Sequence, residues 1–175
     1  MEELSYIFVI SIVIIIFFLY YESRYSQLTY VKSTIDNRQY LVRNRKDKQQ
    51  AADLLGQIRV NFDKIVNELT TKYPDKARIV RLKDNYNPEK LSESIPDTDY
   101  TSYSVNKGEQ IVFCLRSKDK EEKLIDINTI MFVAIHELAH VMTKSVGHTE
   151  EFWANMKYLL EESIKLGIYK DEDYR

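Results

Sequence analysis

The stretch His136-Glu137-Leu138-Ala139-His140, continued by V-M-T-K-S-V-G-H to His148 and by T-E-E-F-W to Trp153, decides how the rest of this 175-residue chain is read. Its first five residues fit H-E-x-x-H. On an α-helix, residues four apart share a face, so His136 and His140 can reach one cation together. Glu137 follows the first imidazole directly, and from there its carboxylate can take a proton from a metal-bound water. The five-residue pattern also arises by chance on solvated helices, so its surroundings carry weight. The chain has three histidines, all between positions 136 and 148. A helix is expected from about Ile127 to Lys144, with Asp126 or Asn128 as N-cap, and the pattern falls inside it. A turn at Val146-Gly147 then returns His148 to the start of a further helix. Three protein ligands with a fourth position left open describe a catalytic zinc site, and neutral imidazole is a good zinc ligand near neutral pH. The expected metal ligands are therefore His136, His140 and His148, the catalytic group is Glu137, and the cofactor is Zn2+. Glu161 and Glu162 on the last helix are rivals for the third ligand. Glu150 and Glu151 are simpler as charges that favour a helix start.

Downstream, Thr149 is a good N-cap, and Phe152, Met156, Leu159, Leu160 and Ile164 form one apolar stripe that Gly167 closes. Upstream, Gln110 to Arg116 reads as a strand, joined to Thr101–Val105 by the turn Asn106-Lys107-Gly108-Glu109 to make a hairpin. Ser117 to Lys123 is a charged loop. Asp84 to Asp99, with Asn87-Pro88 and Ile95-Pro96, reads as a loop, and Ala77 to Leu82 is β-prone. From about Asp47 a helix runs with Ile58, Phe62, Ile65, Val66 and Leu69 on one face, and Tyr73-Pro74-Asp75 ends it. Arg38 to Arg43 can be a short strand. Glu22 to about Val31 reads as a polar tether.

Leu4 to Tyr21 is an uncharged run of 18 residues, about 27 Å as a helix and close to hydrocarbon thickness. Tyr20 and Tyr21 lie where an interfacial aromatic belt would be. A cleaved signal peptide would want a basic start and small residues at its end; this run starts after Glu2 and Glu3 and ends F-F-L-Y-Y. The expectation is a single-pass anchor in the lipid bilayer through residues 4–21. Arg24, Lys32, Arg38, Arg43, Arg45, Lys46 and Lys48 follow it, against Glu22, Asp36 and Asp47, so the positive-inside rule puts the C-terminal part on the cytoplasmic side.

Composition bounds the rest. Hydrophobic residues at 44% and charged ones at 30% are those of a globular domain. The net charge of −2 belongs to Glu2 and Glu3, so the remainder is neutral, and no nucleic acid partner is expected. A lone cysteine, Cys114, cannot form an internal disulfide.

His136 to Trp153 resembles the compact zincins of the WLM and SprT-like group. There a Gly or Asn plus His after H-E-L-x-H gives the third ligand, and an aromatic pair follows, matched by Phe152 and Trp153. A strand before the active-site helix is also similar, a place Gln110 to Arg116 would fill, able to pair with an extended substrate. His148 lies eight positions after His140 where many members have six, and position 143 is Thr where metzincins have Gly. The clear resemblance covers about residues 100 to 168. More loosely, anchor, basic stretch and minimal zincin together are similar to WLM-like proteins of large DNA viruses, which implies a virion or host membrane.

The resemblance implies hydrolysis of a protein or peptide substrate by metal-activated water, with Glu137 as general base and acid. Tyr100, Tyr103 and Arg116 are candidates for stabilising the oxyanion. The alternative is a catalytically silent minor virion membrane protein whose zinc stabilises the fold; a DNA-associated protease is a third reading, against which the neutral domain argues. The expected fold is α+β: a transmembrane helix (1–21), a juxtamembrane basic tether (22–46) and a compact zincin-like domain (47–175) with a small, mostly antiparallel sheet.

Overall fold

The one-sided periodicity around Phe62 settles the core first. Ile58, Phe62, Ile65 and Leu69 are fully buried along one face of a long helix, α2 (Lys48–Lys72), joined by Ala51, Ala52 and Leu55. Each large apolar side chain buried in this way contributes about 1.5–3 kcal/mol. The computed structural model describes residues 2–25, 27–96 and 102–172, with side chains described at 6–22, 27–96 and 102–172. Tyr100 and Thr101 lie outside the described residues.

In chain order the elements are α1 (Glu2–Tyr25), β1 (Leu28–Lys32), β2 (Gln39–Arg43), α2, α3 (Ala77–Asn85), β3 (Leu91–Glu93), β4 (Ser102–Val105), β5 (Gln110–Phe113), α4 (Ile127–Met142) and α5 (Glu150–Lys165). The five strands form one sheet in the order β1-β2-β3-β5-β4. β1–β2 and β4–β5 are antiparallel hairpins, whereas β2–β3 and β3–β5 are parallel. The sheet is therefore mixed rather than mostly antiparallel. The connection from β2 to β3 runs through α2 and α3, and a crossover of that length returns a strand parallel to the first. Helix α2 packs on β1, β2 and β3, while α4 packs on α2, α3, α5 and β4.

Among the described residues, no helix is long and apolar enough to cross a membrane. This corrects the expected transmembrane anchor, the bilayer contact through residues 4–21, and the single-pass membrane localisation with a cytoplasmic domain. Three of the basic residues used to orient the anchor have partners inside the fold. Arg38 pairs with Glu89, and Arg43 and Arg45 both pair with Glu122. Leu28–Lys32, expected in the tether, is the edge strand β1.

Two other local readings change. Ala77–Leu82, β-prone by composition, begins α3, with Ile79 and Leu82 buried three residues apart on its inner face. Leu91–Glu93, expected in a loop, is the short central strand β3.

The polar residues of β3 are buried because each finds a partner. Glu93 accepts from Arg116 Nε at 2.7 Å and from the Arg43 N–H at 2.7 Å. Arg116 also grips both carboxylate oxygens of Asp47, at 2.6 and 2.8 Å. This network fastens the start of α2 to the sheet.

Candidate metal centre

Helix α4 is built to hold its first turn fixed. The Asp126 carboxylate accepts the N–H groups of Asn128 and Thr129, each at 3.0 Å, which satisfies two donors that the helix itself cannot. Asn128 is not a second cap. Its side chain pins the backbone of Lys170 through two hydrogen bonds, at 3.0 and 2.8 Å. Ile130, Met131, Ala134, Ile135 and Leu138 are buried, which turns His136 and His140 toward the opposite side.

His136 and His140 stand one turn apart with ring centroids at 4.9 Å. His148, just before α5, closes a triangle with centroid distances of 4.9 and 5.0 Å. One ligand nitrogen of each imidazole lies within 4.8 Å of the others. His136 Nε2 and His148 Nε2 are 3.1 Å apart, close to the roughly 3.3 Å between two imidazole nitrogens that share a tetrahedral zinc at about 2.0–2.1 Å. The donor set thus suits a zinc ion in both chemistry and spacing. Burial holds the protonated form of His136 down, and His148 adds to that effect. Burial likewise lowers His140 to about 4, helped by His136, His148 and Lys107. Both rings are neutral near neutral pH, as metal ligation requires.

Phe152 is the floor of this triangle. It is fully buried, and its ring centroid lies 4.8, 4.3 and 4.7 Å from those of His136, His140 and His148. Trp153 packs against His148 at 5.7 Å but is 55% exposed, so it borders the site instead of lying beneath it.

Glu137 is 5% exposed. Burial pushes its carboxyl up to about 7, partly offset by a hydrogen bond from the Ser104 backbone N–H. That contact ties α4 to strand β4. In β5, the Ile111 N–H donates to Lys90 and the Phe113 C=O accepts from Ser94, so both residues bond toward β3. Alternation then leaves Gln110 and Val112 to bond β4 through Val105 and Tyr103. The backbone groups of Ser102 and Ser104 point outward from the sheet edge. The strand bordering the site is therefore β4, and Gln110–Phe113 is interior.

A cleft of about 840 Å³ runs between this edge and α4, lined by Tyr103, Ser104, Phe132, Val133 and the residues of the site. Of the expected oxyanion donors, Tyr103 lines the cleft, and Arg116 is engaged by Glu93 and Asp47. Glu161 and Glu162 are not in the cluster; the Glu162 carboxylate pairs with Lys72 and Lys165.

Several residues that support the site carry no sequence signal of that role. Thr143 donates its hydroxyl to Ala139 C=O at 2.7 Å and accepts from Asn155 Nδ2 at 2.9 Å, joining the end of α4 to α5. Glu151 accepts the backbone N–H groups of Lys144 and Ser145 and the Ser145 hydroxyl, which hold its carboxyl down at about 2. On sequence, Glu151 reads simply as a helix-start charge.

The family model described as WLM domain matches residues 36–174. The chain is 41% identical over 169 residues to an uncharacterized protein of Acanthamoeba polyphaga mimivirus, across 94% of this chain and 85% of that one. It is 37% identical over 71 residues to an uncharacterized protein of invertebrate iridescent virus 6, across 40% of this chain and 39% of that one. The fold is similar to the crystal structure of Wss1 from Saccharomyces cerevisiae, with a TM-score of 0.53 and 21% identity, across 72% of this chain and 87% of that one.

Proposed function

The chain belongs to the WLM-domain family, and from that premise we propose that it is a zinc-dependent metallopeptidase of the H-E-x-x-H type, acting on protein or peptide substrates. One observation carries the reading: three imidazole nitrogens within 4.8 Å of one another, with the buried Glu137 carboxylate beside them in an open cleft. A zinc site that only stabilises a fold usually has four protein ligands. Among the described residues the cluster has three, which favours a position open to water or substrate.

His136, His140 and His148 would hold the ion. When bound, zinc makes a coordinated water acidic near neutral pH and polarises a carbonyl. Glu137 supplies the proton chemistry. Burial raises its carboxyl to about 7 in the metal-free protein and a bound cation would bring it down again, so that it can take a proton from water and later return it to a leaving amine. The Ser104 N–H keeps that carboxylate at the β4 edge. An extended peptide laid along β4 would pass over Glu137 and the three histidines. Of the oxyanion donors expected from the sequence, Tyr103 is the one that lines the cleft.

The test is Glu137→Gln in the full chain. Zinc content should stay at wild-type stoichiometry while cleavage of an unfolded protein substrate is lost. Cleavage by the variant at the wild-type rate would remove Glu137 from the chemistry.

A further inference from the structure

The connection between α4 and α5, residues 143–149, delivers His148, and between the buried Thr143 and that imidazole its crest has little packing of its own. Val146 is 86% exposed, and a Cβ placed at Gly147 would meet nothing within 4 Å. What fixes its path comes from a different element. Lys107, in the turn between β4 and β5, donates from Nζ to the carbonyls of Thr143, Lys144 and Ser145 at 2.7, 2.6 and 2.6 Å. An ammonium group has three protons, and all three are used.

A lysine that merely capped α4 would bond carbonyls of the last helical turn. These three carbonyls lie beyond the helix end, in the connection itself. On the opposite side, Glu151 takes the N–H groups of Lys144 and Ser145. The same short segment is thus held by a cation on its carbonyls and by an anion on its amides.

The turn that presents Lys107 is unusual. Asn106, Lys107 and Gly108 all have positive φ, at 44°, 56° and 116°. Two of them are not glycine, and such residues persist in this region where surrounding structure imposes it. Gly108 sits so close to α3 and α4 that a Cβ would come within 2.5 Å of the Asn85 carbonyl oxygen and 3.0 Å of Val141.

We propose that Lys107 is a positioning residue for the metal site, fixing the α4–α5 connection so that His148 meets His136 and His140. The inference rests on the reading of those histidines as metal ligands. Because Lys107 lies in the turn that ends β4, one hairpin sets both the cleft wall and the third ligand.

A purely electrostatic role predicts the opposite sign. The Lys107 charge is felt at His140 and would repel a bound cation, so its removal alone would tighten zinc binding. The experiment measures zinc Kd by competition with a chromophoric chelator, on the full chain, for wild type, Lys107→Met, His148→Ala and the double variant. Lys107→Met should weaken zinc binding about ten-fold or more, as loss of a ligand-orienting contact does. In the His148→Ala background the same change should shift Kd by less than about two-fold, because the ligand through which it acts is gone. Lys107→Gln retains two N–H donors and should fall between; it replaces the Met variant if thermal unfolding without metal shows that Met does not fold. An unchanged or tighter Kd on loss of Lys107, or an equal loss in the His148→Ala background, overturns the proposal and leaves the metal site standing. A wild-type chain that binds no zinc overturns both.

Discussion

Replacing Glu137 with Gln should make the metal-free protein more stable at alkaline pH while abolishing its chemistry. Glu137 is 5% exposed, and burial raises its carboxyl from 4.5 to about 7. A carboxyl whose folded-state pKa is raised opposes folding only when ionised. Its contribution is at its best below the unfolded value and worsens as pH rises from about 4.5 to about 7, levelling off above that. Each pKa unit is about 1.4 kcal/mol, so the accumulated penalty near pH 8 is roughly 3 kcal/mol, and near pH 5 roughly 1 kcal/mol. Gln is nearly isosteric and its carbonyl oxygen can accept the Ser104 N–H, so the variant escapes the penalty and keeps the contact. His136 and His140 titrate in the opposite sense, since their lowered values cost stability as pH falls, but both are present in the two proteins and cancel in the comparison. Urea unfolding with chelator present should show the Glu137→Gln variant more stable by roughly 3 kcal/mol near pH 8, which for a chain of this size is also roughly 6–12 °C in Tm. The advantage should shrink about three-fold near pH 5. Equal stability of the two proteins near pH 8 would refute the claim that Glu137 is held in a desolvated place.

Phe152→Ala removes the floor shared by three imidazoles and should cost about 3–5 kcal/mol in chemical denaturation, with weaker zinc binding in the same samples; a loss under about 1 kcal/mol would mean the ring is not a packing element. Gly108→Ala meets both a positive φ and the Asn85 carbonyl, so a loss of more than about 1 kcal/mol is expected by the same assay. Glu93→Leu leaves the buried Arg116 guanidinium half-paired and should cost about 3 kcal/mol, part of it recovered when Arg116→Met is added, since that change removes the half-paired charge but also takes the partner of Asp47 away. An unrecovered double variant would show that the pair matters for packing and not for charge.

The helices were legible where periodicity was long. α2 and α4 repeat their apolar positions over several turns, and Thr149 marks the start of α5, so boundaries and buried faces follow from spacing alone. The hairpin β4–β5 was equally readable from its alternation and its N-K-G turn. Short elements were not. In α3, Ile79 and Leu82 are two buried positions in nine residues, too few to separate a helical period from a strand's. β3 is three residues with a buried serine and glutamate, and no hydrophobicity pattern can announce a strand made tolerable by a distant arginine. β1 is a half-exposed edge, so it reads as polar linker. For the site, the three histidines and Glu137 are found by spacing because they sit on one helix and the bend after it. Lys107, Asn155 and the Ser104 amide escape because their roles arise only when separate elements meet. The identity of the edge strand escapes for the same reason: it depends on strand order.

The two ends of the α4–α5 connection are gripped, but its crest, Val146 and Gly147, rests on nothing. Lys107 and Glu151 hold the footing from which His148 is reached, so added length is tolerated at the crest only while that footing stays fixed. Residues added or deleted there would alter the height of an arch over solvent while its footings stayed in place. A search pattern that fixes the eight-residue interval from His140 to His148 would overlook any chain that reaches an equivalent centre over a longer crest.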